Sequence, residues 1–544
     1  MRVFNPSIII GISKISFTNI HRLILAALVV LVLSGLAARG ASAQASDVYI
    51  TPDGGGNGVC TNNVHPPSWF NNSANWGSGS SQIGAGTIVH LCGTFTNAFT
   101  AQGNGSSGNP VTILWESGAK LSAPAFLGAW FILDGRSNLV LDGGTDGVIE
   151  DTANGTNLGS HVQSDAIRAD NATNIEVKNL HIQNLYVHQG VSDTMMAVGS
   201  LNCFLANHPS GTFSIHDNVM HDMNWCLKIG QYTNPGVTLN IYNNEIFNID
   251  HAMAIFGDTT DQPYTLNFHD NWVHDFANWD TSVNLYHHDG IHIYAGDGVR
   301  TFYNNKFSGS MGVNNTSYVF EEIMQGGSKG SNPGGSQVWY NNVWIQASNN
   351  NVSNALAYIT GNAVFYNNTF VCNDTNGGDN QGGLRYNFGT LYYNSIPRHL
   401  TFENNVMSGC VTFFEGINTI FDSLNYNVYV AATSGGQHKW SYNTTSLDTI
   451  AAWQSATGKD GSGLYNPTSG LNSLGMPQSG SPVLTVGVNL STLGITPLNS
   501  DTSAGHTKTP IARSSSWNAG AFGSGSSTAA TPPTPPAGLT AIVQ

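Results

Sequence analysis

The sequence predicts an all-β solenoid built from short, stacked strands. One phrase recurs eight times between residues 175 and 410, in copies that include FSIHDNVM, LNIYNNEI and AVFYNNTF. Apolar residues such as Phe213 and Ile215 alternate within each copy, and a period of two is that of a strand. The copies lie 26 to 39 residues apart. A fixed unit separated by loops of variable length is typical of solenoids.

An asparagine near the end of each copy is expected to stack on the asparagine of the next coil. Asparagine side chains bond readily to neighbouring backbone groups in a bend. Repeated once per coil, they would form a hydrogen-bonded ladder inside the turn. The predicted members are Asn179, Asn218, Asn244, Asn271, Asn305, Asn342, Asn368 and Asn405.

The first 43 residues have the pattern of an export signal. Lys14 and Arg22 precede an apolar run at 23–33, and Ala-Ser-Ala at 41–43 offers a cleavage site. An uncleaved membrane anchor is the alternative, but a span needs about 20 apolar residues and this run is shorter. We therefore expect a secreted or cell-surface protein with no membrane span after cleavage.

The composition is acidic but poor in charge. The chain has 18 basic and 33 acidic side chains, a formal net charge of −15, and only 9% charged residues. Removing residues 1–43 takes away four basic residues and no acidic ones, so the mature chain is more acidic still. This balance excludes binding of nucleic acid through bulk charge. A polar, neutral surface suits hydroxyl-rich ligands.

Six cysteines follow the signal, and an even number in an exported chain favours disulfides. The repeat register places two pairs on adjacent coils, about 4.8 Å apart, and leaves the third pair for the N-terminal cap. The predicted bonds are Cys60–Cys92, Cys203–Cys226 and Cys372–Cys410.

The repeats resemble those of right-handed parallel β-helix proteins of the pectin-lyase-like fold. Two further segments agree: 82–121 is similar to the first coils of such proteins, including chondroitinase B-type lyases, and SGSPVLTVG with RSSSWNAGAFG is similar to their tail. The basic motifs of pectate lyases and the paired-Asp motifs of polygalacturonases are missing. The resemblance implies a right-handed parallel β-helix and no single activity, since lyases, hydrolases, epimerases, adhesins and phage spikes share this fold.

The expected organisation follows from these segments. We predict a monomer with a signal at 1–43, an N-terminal cap at 44–84, the right-handed parallel β-helix at 85–440, a C-terminal capping segment at 441–523 and a Pro/Thr/Ala-rich tail at 524–544. Solenoid ends need caps, and a tail of that composition is extended.

A second strand follows the ladder turn in each coil, and one of its faces is expected to carry the chemistry. The residues predicted to point inward are Leu227, Met253, Ile291, Leu356 and Leu384. Those predicted to point outward in one row are Lys228, Ala254, His292, Ala357 and Arg385, joined by either Glu321 or Glu322. A slip of one residue would exchange the two faces.

The insertion before His292 strengthens this location. Residues 269–292 contain five histidines and four aspartates, with aromatic residues among them. His-Asp pairs at 216–217, 221–222, 269–270 and 274–275 recur in register and are interpreted as structural. The candidates without such counterparts are His287, His288, Asp289 and His292, with Trp279, Tyr286 and Tyr294 to stack on sugar rings.

Two chemistries compete on these residues. Eliminative cleavage of a uronate polymer needs a base, His292 or Lys228, and a group to neutralise the carboxylate: Lys228, Arg385, or a calcium ion held by Asp289 and Glu321 or Glu322. Glycoside hydrolysis needs two carboxyl groups, which Asp289 and Glu322 would supply. A third class is a non-catalytic glycan-binding surface protein. We favour an enzyme acting on an extracellular polysaccharide by β-elimination.

Overall fold

The structure, a computed structural model, describes residues 47–154, 162–186, 201–230, 234, 236–256, 263–276, 288–293, 298–311, 316–322, 336–346, 352–372, 382–386, 397–432, 438–498 and 517–523. At 201, 288–289, 310–311, 316–322 and 352–354 only the backbone is described, without the side chains.

The chain forms a right-handed parallel β-helix, as predicted. Each coil contributes short strands that pair in parallel with those of the next coil, and a connection between parallel strands of one sheet is right-handed almost without exception. We call the stacks sheets 1, 2 and 3 in the order in which a coil visits them. Sheet 1 comprises Asp47–Ile50, Val64–His65, Ile88–Leu91, Val111–Trp115, Ser137–Asp142, Thr173–Lys178, Ser210–His216, Thr238–Tyr242, Tyr264–His269, Gly298–Tyr303, Ser336–Tyr340, Asn362–Tyr366, Arg398–Glu403 and Thr419–Asn425.

Sheets 2 and 3 meet at a corner that two long strands, Val219–Gly230 and Glu245–Phe256, run through. Sheet 2 also contains Thr94–Phe95, Lys120–Ala123, Val148–Asp151, His181–Gln183, Trp272–Phe276, Lys306–Met311, Val343–Ile345, Thr369–Val371, Val406–Cys410, Val428–Ala431 and Leu464–Tyr465. Sheet 3 also contains Phe99–Thr100, Gly128–Ile132, Ser164–Arg168, Leu201–Asn207, His288–Ile293, Thr316–Glu322, Val352–Ile359, Gly382–Tyr386, Thr412–Gly416 and Trp440–Tyr442, with Thr445–Leu447 antiparallel to the last. The helices are Pro67–Phe70 and Ile450–Thr457, with 3-10 turns at Ser73–Asn75, Pro482–Thr485 and Ser491–Leu493.

One apolar core fills the inside of the helix from Val48 to Trp453. Alternate residues of a strand face it, as the buried Leu266 and Phe268 show. Aromatic rings continue the stacking from coil to coil: the ring of Trp339 lies 3.9 Å from that of Phe302 and 5.7 Å from that of Phe365. The stacked coils therefore share one continuous interior, as expected for a solenoid.

The asparagine ladder is confirmed, with one correction. From Asn218 onward, each Nδ2 donates to Oδ1 of the next asparagine at 2.9 to 3.2 Å. The predicted member Asn179 is wrong: it has a left-handed backbone with φ 57° and donates to Asp142, while Leu180 occupies the ladder position. In the first copy the asparagine directly follows the strand. Asn179 therefore lies at the bend position that Asp217 occupies in the next coil.

The ladder also runs one coil further than predicted, to Asn427. There Asp460 accepts from the ladder asparagine, from the Tyr429 hydroxyl at 2.7 Å and from the Trp453 indole at 3.1 Å. Trp453 comes from helix Ile450–Thr457 and stacks on Trp440. The residues after the repeats thus close the C-terminal end of the core. Further on, Leu490, Ile495 and Trp517 pack against the outside of sheet 1.

The recurrent His-Asp pairs are structural, as predicted. Rings on the outside of sheet 1 stack from coil to coil at 4.4 to 5.0 Å, in the order His216, Tyr242, His269, Tyr303 and Tyr340. A second stack, on sheet 2, joins His221, Phe247 and His274. Each of these histidines donates through Nδ1 to the aspartate that follows it.

All three predicted disulfides are present, with Cα–Cα distances of 6.5, 4.6 and 4.9 Å in chain order. Disulfides of this kind persist in oxidising compartments outside the cytosol. Across the described ranges, no helix has the length and apolar character needed to cross a membrane.

Candidate active site

The strands of sheet 3 align the predicted residues in one row on the outside of the helix. This row, called the outer row below, contains Arg168, Leu205, Lys228, Ala254, His292, Glu321, Tyr358, Arg385 and Glu415. The register also decides between the two glutamates. Glu321 pairs with His292 in the row, whereas Glu322 pairs with Ile293, a buried core residue.

Ala357 was placed on the wrong face. It pairs with Leu384 and faces the core, while Tyr358 takes the position in the outer row. Leu356 and Ala357 are both buried in the core cluster. The predicted register of the outer row was therefore out by one residue in this strand.

His292 lies in the outer row but is fully buried, so the expectation that it is exposed was wrong. Its ring lies parallel to that of His251, with centroids 5.8 Å apart, and Ala254 beside it is also buried. The outside of sheet 3 is therefore covered at these coils. His292 has no direct access to a polymer in this arrangement and is a poor candidate for the base.

Several predicted site residues lie outside the described part of the chain and remain predictions: Trp279, Tyr286, His287 and Tyr294. For His288, Asp289, Glu321 and Glu322 the backbone alone is described. Asp289 pairs with Tyr318, three residues before Glu321, so the two predicted calcium ligands sit at different register positions. Among the side chains that the structure describes, no three metal-ligating groups come together.

Arg385 is held by a neighbour in the outer row. Its Nε donates to the Glu415 carboxylate at 2.6 Å, and both side chains are about nine-tenths buried. A buried, paired guanidinium of this kind has its charge compensated within the protein. Arg385 is consequently less suited than predicted to neutralise a substrate carboxylate.

Lys228 keeps partial exposure and has an unusual environment. Its Nζ lies 5.6 Å from the ring centre of Trp225 and 5.9 Å from that of Phe256. Burial lowers the pKa of the Lys228 amine, while the carboxylates of Asp165 and Asp170 act in the opposite direction. An amine with a lowered pKa has a larger neutral fraction, which is what a general base requires.

Two residues near Lys228 were missed by sequence reasoning. Arg168 belongs to the outer row, two strands from Lys228, and its Nε and Nη2 donate to Asp134 at 2.9 and 2.6 Å. Asp165 accepts from Asn202 at 2.6 Å, and burial raises the pKa of its carboxyl to about 6. The sequence did contain a signal for these two residues. The strand Ser164–Arg168 carries two charged side chains, those of Asp165 and Arg168, that are only partly buried.

These residues form a polar patch at the N-terminal half of sheet 3, with Lys228 and Arg168 about two coils, or ~10 Å, apart. The patch offers an amine, a guanidinium, a protonatable carboxyl and two aromatic faces. Acid–base groups beside aromatic faces are suited to a sugar polymer.

No protein-family description and no curated protein matches the chain. Among solved structures it is similar to a PL6 alginate lyase in complex with a trisaccharide, with a TM-score of 0.40 and 12% identity over 90% of this chain and 89% of that one. A GH136 lacto-N-biosidase from Eubacterium ramulus gives a TM-score of 0.38 and 10% identity, over 78% and 68% of the two chains. Pectate lyase Pel9A gives 0.32 and 11%, over 89% and 97%. At these identities the likeness concerns the fold and assigns no activity.

Proposed function

We propose that this protein is an exported, carbohydrate-active enzyme that cleaves a uronate-containing polysaccharide by β-elimination on the outside of sheet 3. The observation that carries the proposal is the environment of Lys228, a partly exposed amine between Trp225 and Phe256 whose pKa is lowered by burial. The outside of sheet 3 is partly exposed from Arg168 to Lys228, where a row of parallel strands fits an extended polymer better than a small molecule. The three disulfides agree with export.

The proposed reaction assigns one role to each group. The Lys228 amine removes the proton from C5 of the uronate, the C4–O bond breaks, and a C4–C5 double bond forms. Arg168 pairs with the substrate carboxylate through the donors not used by Asp134, which makes the C5 proton more acidic. Water supplies the proton to the leaving oxygen, because the Asp165 carboxyl loses its own proton as the pH rises past about 6. Calcium bound near Asp289 and Glu321 remains a further proposal, tested by chelation.

Hydrolysis is the second candidate because two carboxyl groups, those of Asp165 and Asp151, have raised pKa values. Asp151 also has its pKa raised to about 6 by burial, and it accepts from the Trp130 indole at 3.0 Å. Two carboxyl groups that hold protons at mildly acidic pH provide the general acid that glycosidases need. In that case the partner carboxylate would be Asp165 or Asp170.

The test is incubation with a panel of polysaccharides, following both ultraviolet absorbance and new reducing ends. Elimination gives both signals, since it creates an unsaturated sugar, whereas hydrolysis gives reducing ends alone. Lys228→Ala should lower turnover at least about 10²-fold, the usual contribution of a general base. Lys178→Ala is the matched control, because that lysine is paired with Glu176 on sheet 1. Full activity of Lys228→Ala would overturn the proposal, and glycan binding without products would favour the non-catalytic alternative.

A further inference from the structure

On sheet 2, away from the proposed active site, two imidazoles face each other across adjacent coils. Nε2 of His181 lies 2.7 Å from Nε2 of His221. Gln183, two residues after His181, is the strand partner of His221, so the two histidines are diagonal neighbours. One nitrogen donates and the other accepts, so this contact requires that one proton be shared between them.

The second nitrogen of His221 is already held. Its Nδ1 donates to the Asp222 carboxylate at 2.5 Å, and its ring is stacked on Phe247 at 4.4 Å. A carboxylate on Nδ1 fixes the tautomer with the lone pair on Nε2, which is the usual arrangement around a metal-ligating histidine. The His221 ring is therefore oriented so that a lone pair points at His181.

We propose that His181 and His221 form a binding site for a divalent transition-metal ion of the zinc, nickel or copper class. Imidazole nitrogen suits these ions, whereas calcium and magnesium prefer oxygen. With metal–nitrogen distances of about 2.0–2.1 Å, two ligands of a tetrahedral ion are about 3.3 Å apart. The two rings need to separate by only about 0.6 Å from their present contact, which a small side-chain rotation achieves.

Charged side chains surround the His181–His221 pair. Glu150 lies one coil before His181 and Glu245 one coil after His221, so two carboxylates lie near the pair and favour a bound cation. Glu150 accepts from Ser122 and Gln183, and Glu245 lies 3.2 Å from His274. Lys120 is the opposing cation.

A cavity of about 550 Å³ gives the ion a route from solvent. Its lining includes His181, Val148, Val219, Asp146 and Lys120, so the cavity reaches the pair from the side of His181. The bound ion would thus link adjacent coils through His181 and His221 and keep its remaining positions for water or for a ligand in this cavity.

The experiment is titration calorimetry of the full chain, cleared of metal, with zinc chloride and nickel chloride at pH 7.5. We expect one ion to bind, with affinity at least about 10-fold weaker in His181→Asn and in His221→Phe. Phenylalanine at 221 retains the stacking, since Phe247 occupies the equivalent place in the next coil. His269→Ala, from the sheet 1 stack, is the control and should bind as the original chain does.

Two further measurements separate the outcomes. Binding should weaken sharply at pH 5, because protonated imidazole cannot bind metal. Calcium chloride should give no heat that depends on His181. If the original chain binds zinc and nickel no more tightly than the two variants, or if His269→Ala weakens binding as much, the pair is a hydrogen-bonded contact only and the proposal is wrong. Activity on polysaccharides does not enter this test, so its result is independent of the proposed function.

Discussion

Nδ2 of Asn271 lies 3.2 Å from Oδ1 of Asn305, while Oδ1 of Asn271 accepts from Asn244 at 3.0 Å. Each ladder asparagine therefore satisfies buried groups on both neighbouring coils. Because the ladder lies inside the turn, water cannot replace a lost partner without entering the core.

The first prediction concerns this ladder. Asn271→Ala should lower the free energy of unfolding by about 2–4 kcal/mol, since it leaves buried donors and acceptors of two coils without partners. Denaturant unfolding followed by circular dichroism measures the change. Asn267→Ala is the control: its bond to Asn240 lies on the partly exposed side of sheet 1, so the loss should be clearly smaller. Equal losses would show that the ladder has no special role.

The second prediction concerns His292. The side chain is fully buried and stacked on His251, so His292→Ala should lower stability by about 2 kcal/mol or more through the cavity it leaves. The thermal midpoint is the readout. His399→Ala, at a partly exposed residue paired with Asp422, should change stability by less than about 0.5 kcal/mol. An unchanged midpoint in His292→Ala would mean that the side chain is exposed in solution.

The third prediction concerns the pH dependence of stability. In Asp165 the pKa rises from 3.8 to about 6 on folding, so the folded state binds more protons between these values. Stability should therefore fall as pH rises from about 4 to about 6, and change little from this group above or below. A tenfold difference in proton affinity between the folded and unfolded states corresponds to ~1.4 kcal/mol. Asp165→Asn should flatten the curve in this window, whereas the exposed Asp53→Asn should not; a curve that Asp165→Asn leaves unchanged would contradict the assignment.

The fourth prediction concerns the pH dependence of activity. If Lys228 is the base, turnover should rise with pH as the amine loses its proton, with a midpoint below the ordinary value of 10.5. Removing the ring with Trp225→Ala admits water to the amine, so the midpoint should move upward. The pH–rate profile of both proteins measures this. A rising limb that stays in place when Trp225 is removed would assign the base to another group.

The sequence by itself determined the coil repeat, most of the asparagine ladder, all three disulfides and the alignment of Lys228, His292 and Arg385. These features depend on the alternation of apolar and polar residues within a strand and on the spacing of the repeats, and both can be read from the sequence of each copy. Asn179 shows the limit of this reasoning, since it stands one position too early in its copy and Leu180 takes the ladder position.

The tertiary structure decided which residues of the outer row meet solvent and which neighbours they have. His292 and Lys228 occupy equivalent positions, yet the first is fully buried and the second is not. Exposure on the outside of a sheet depends on what lies across it, and partners such as Glu415 for Arg385 come from other coils. The repeat fixes how coils stack, whereas the loops between repeats and the pairing of side chains across coils determine where chemistry can take place.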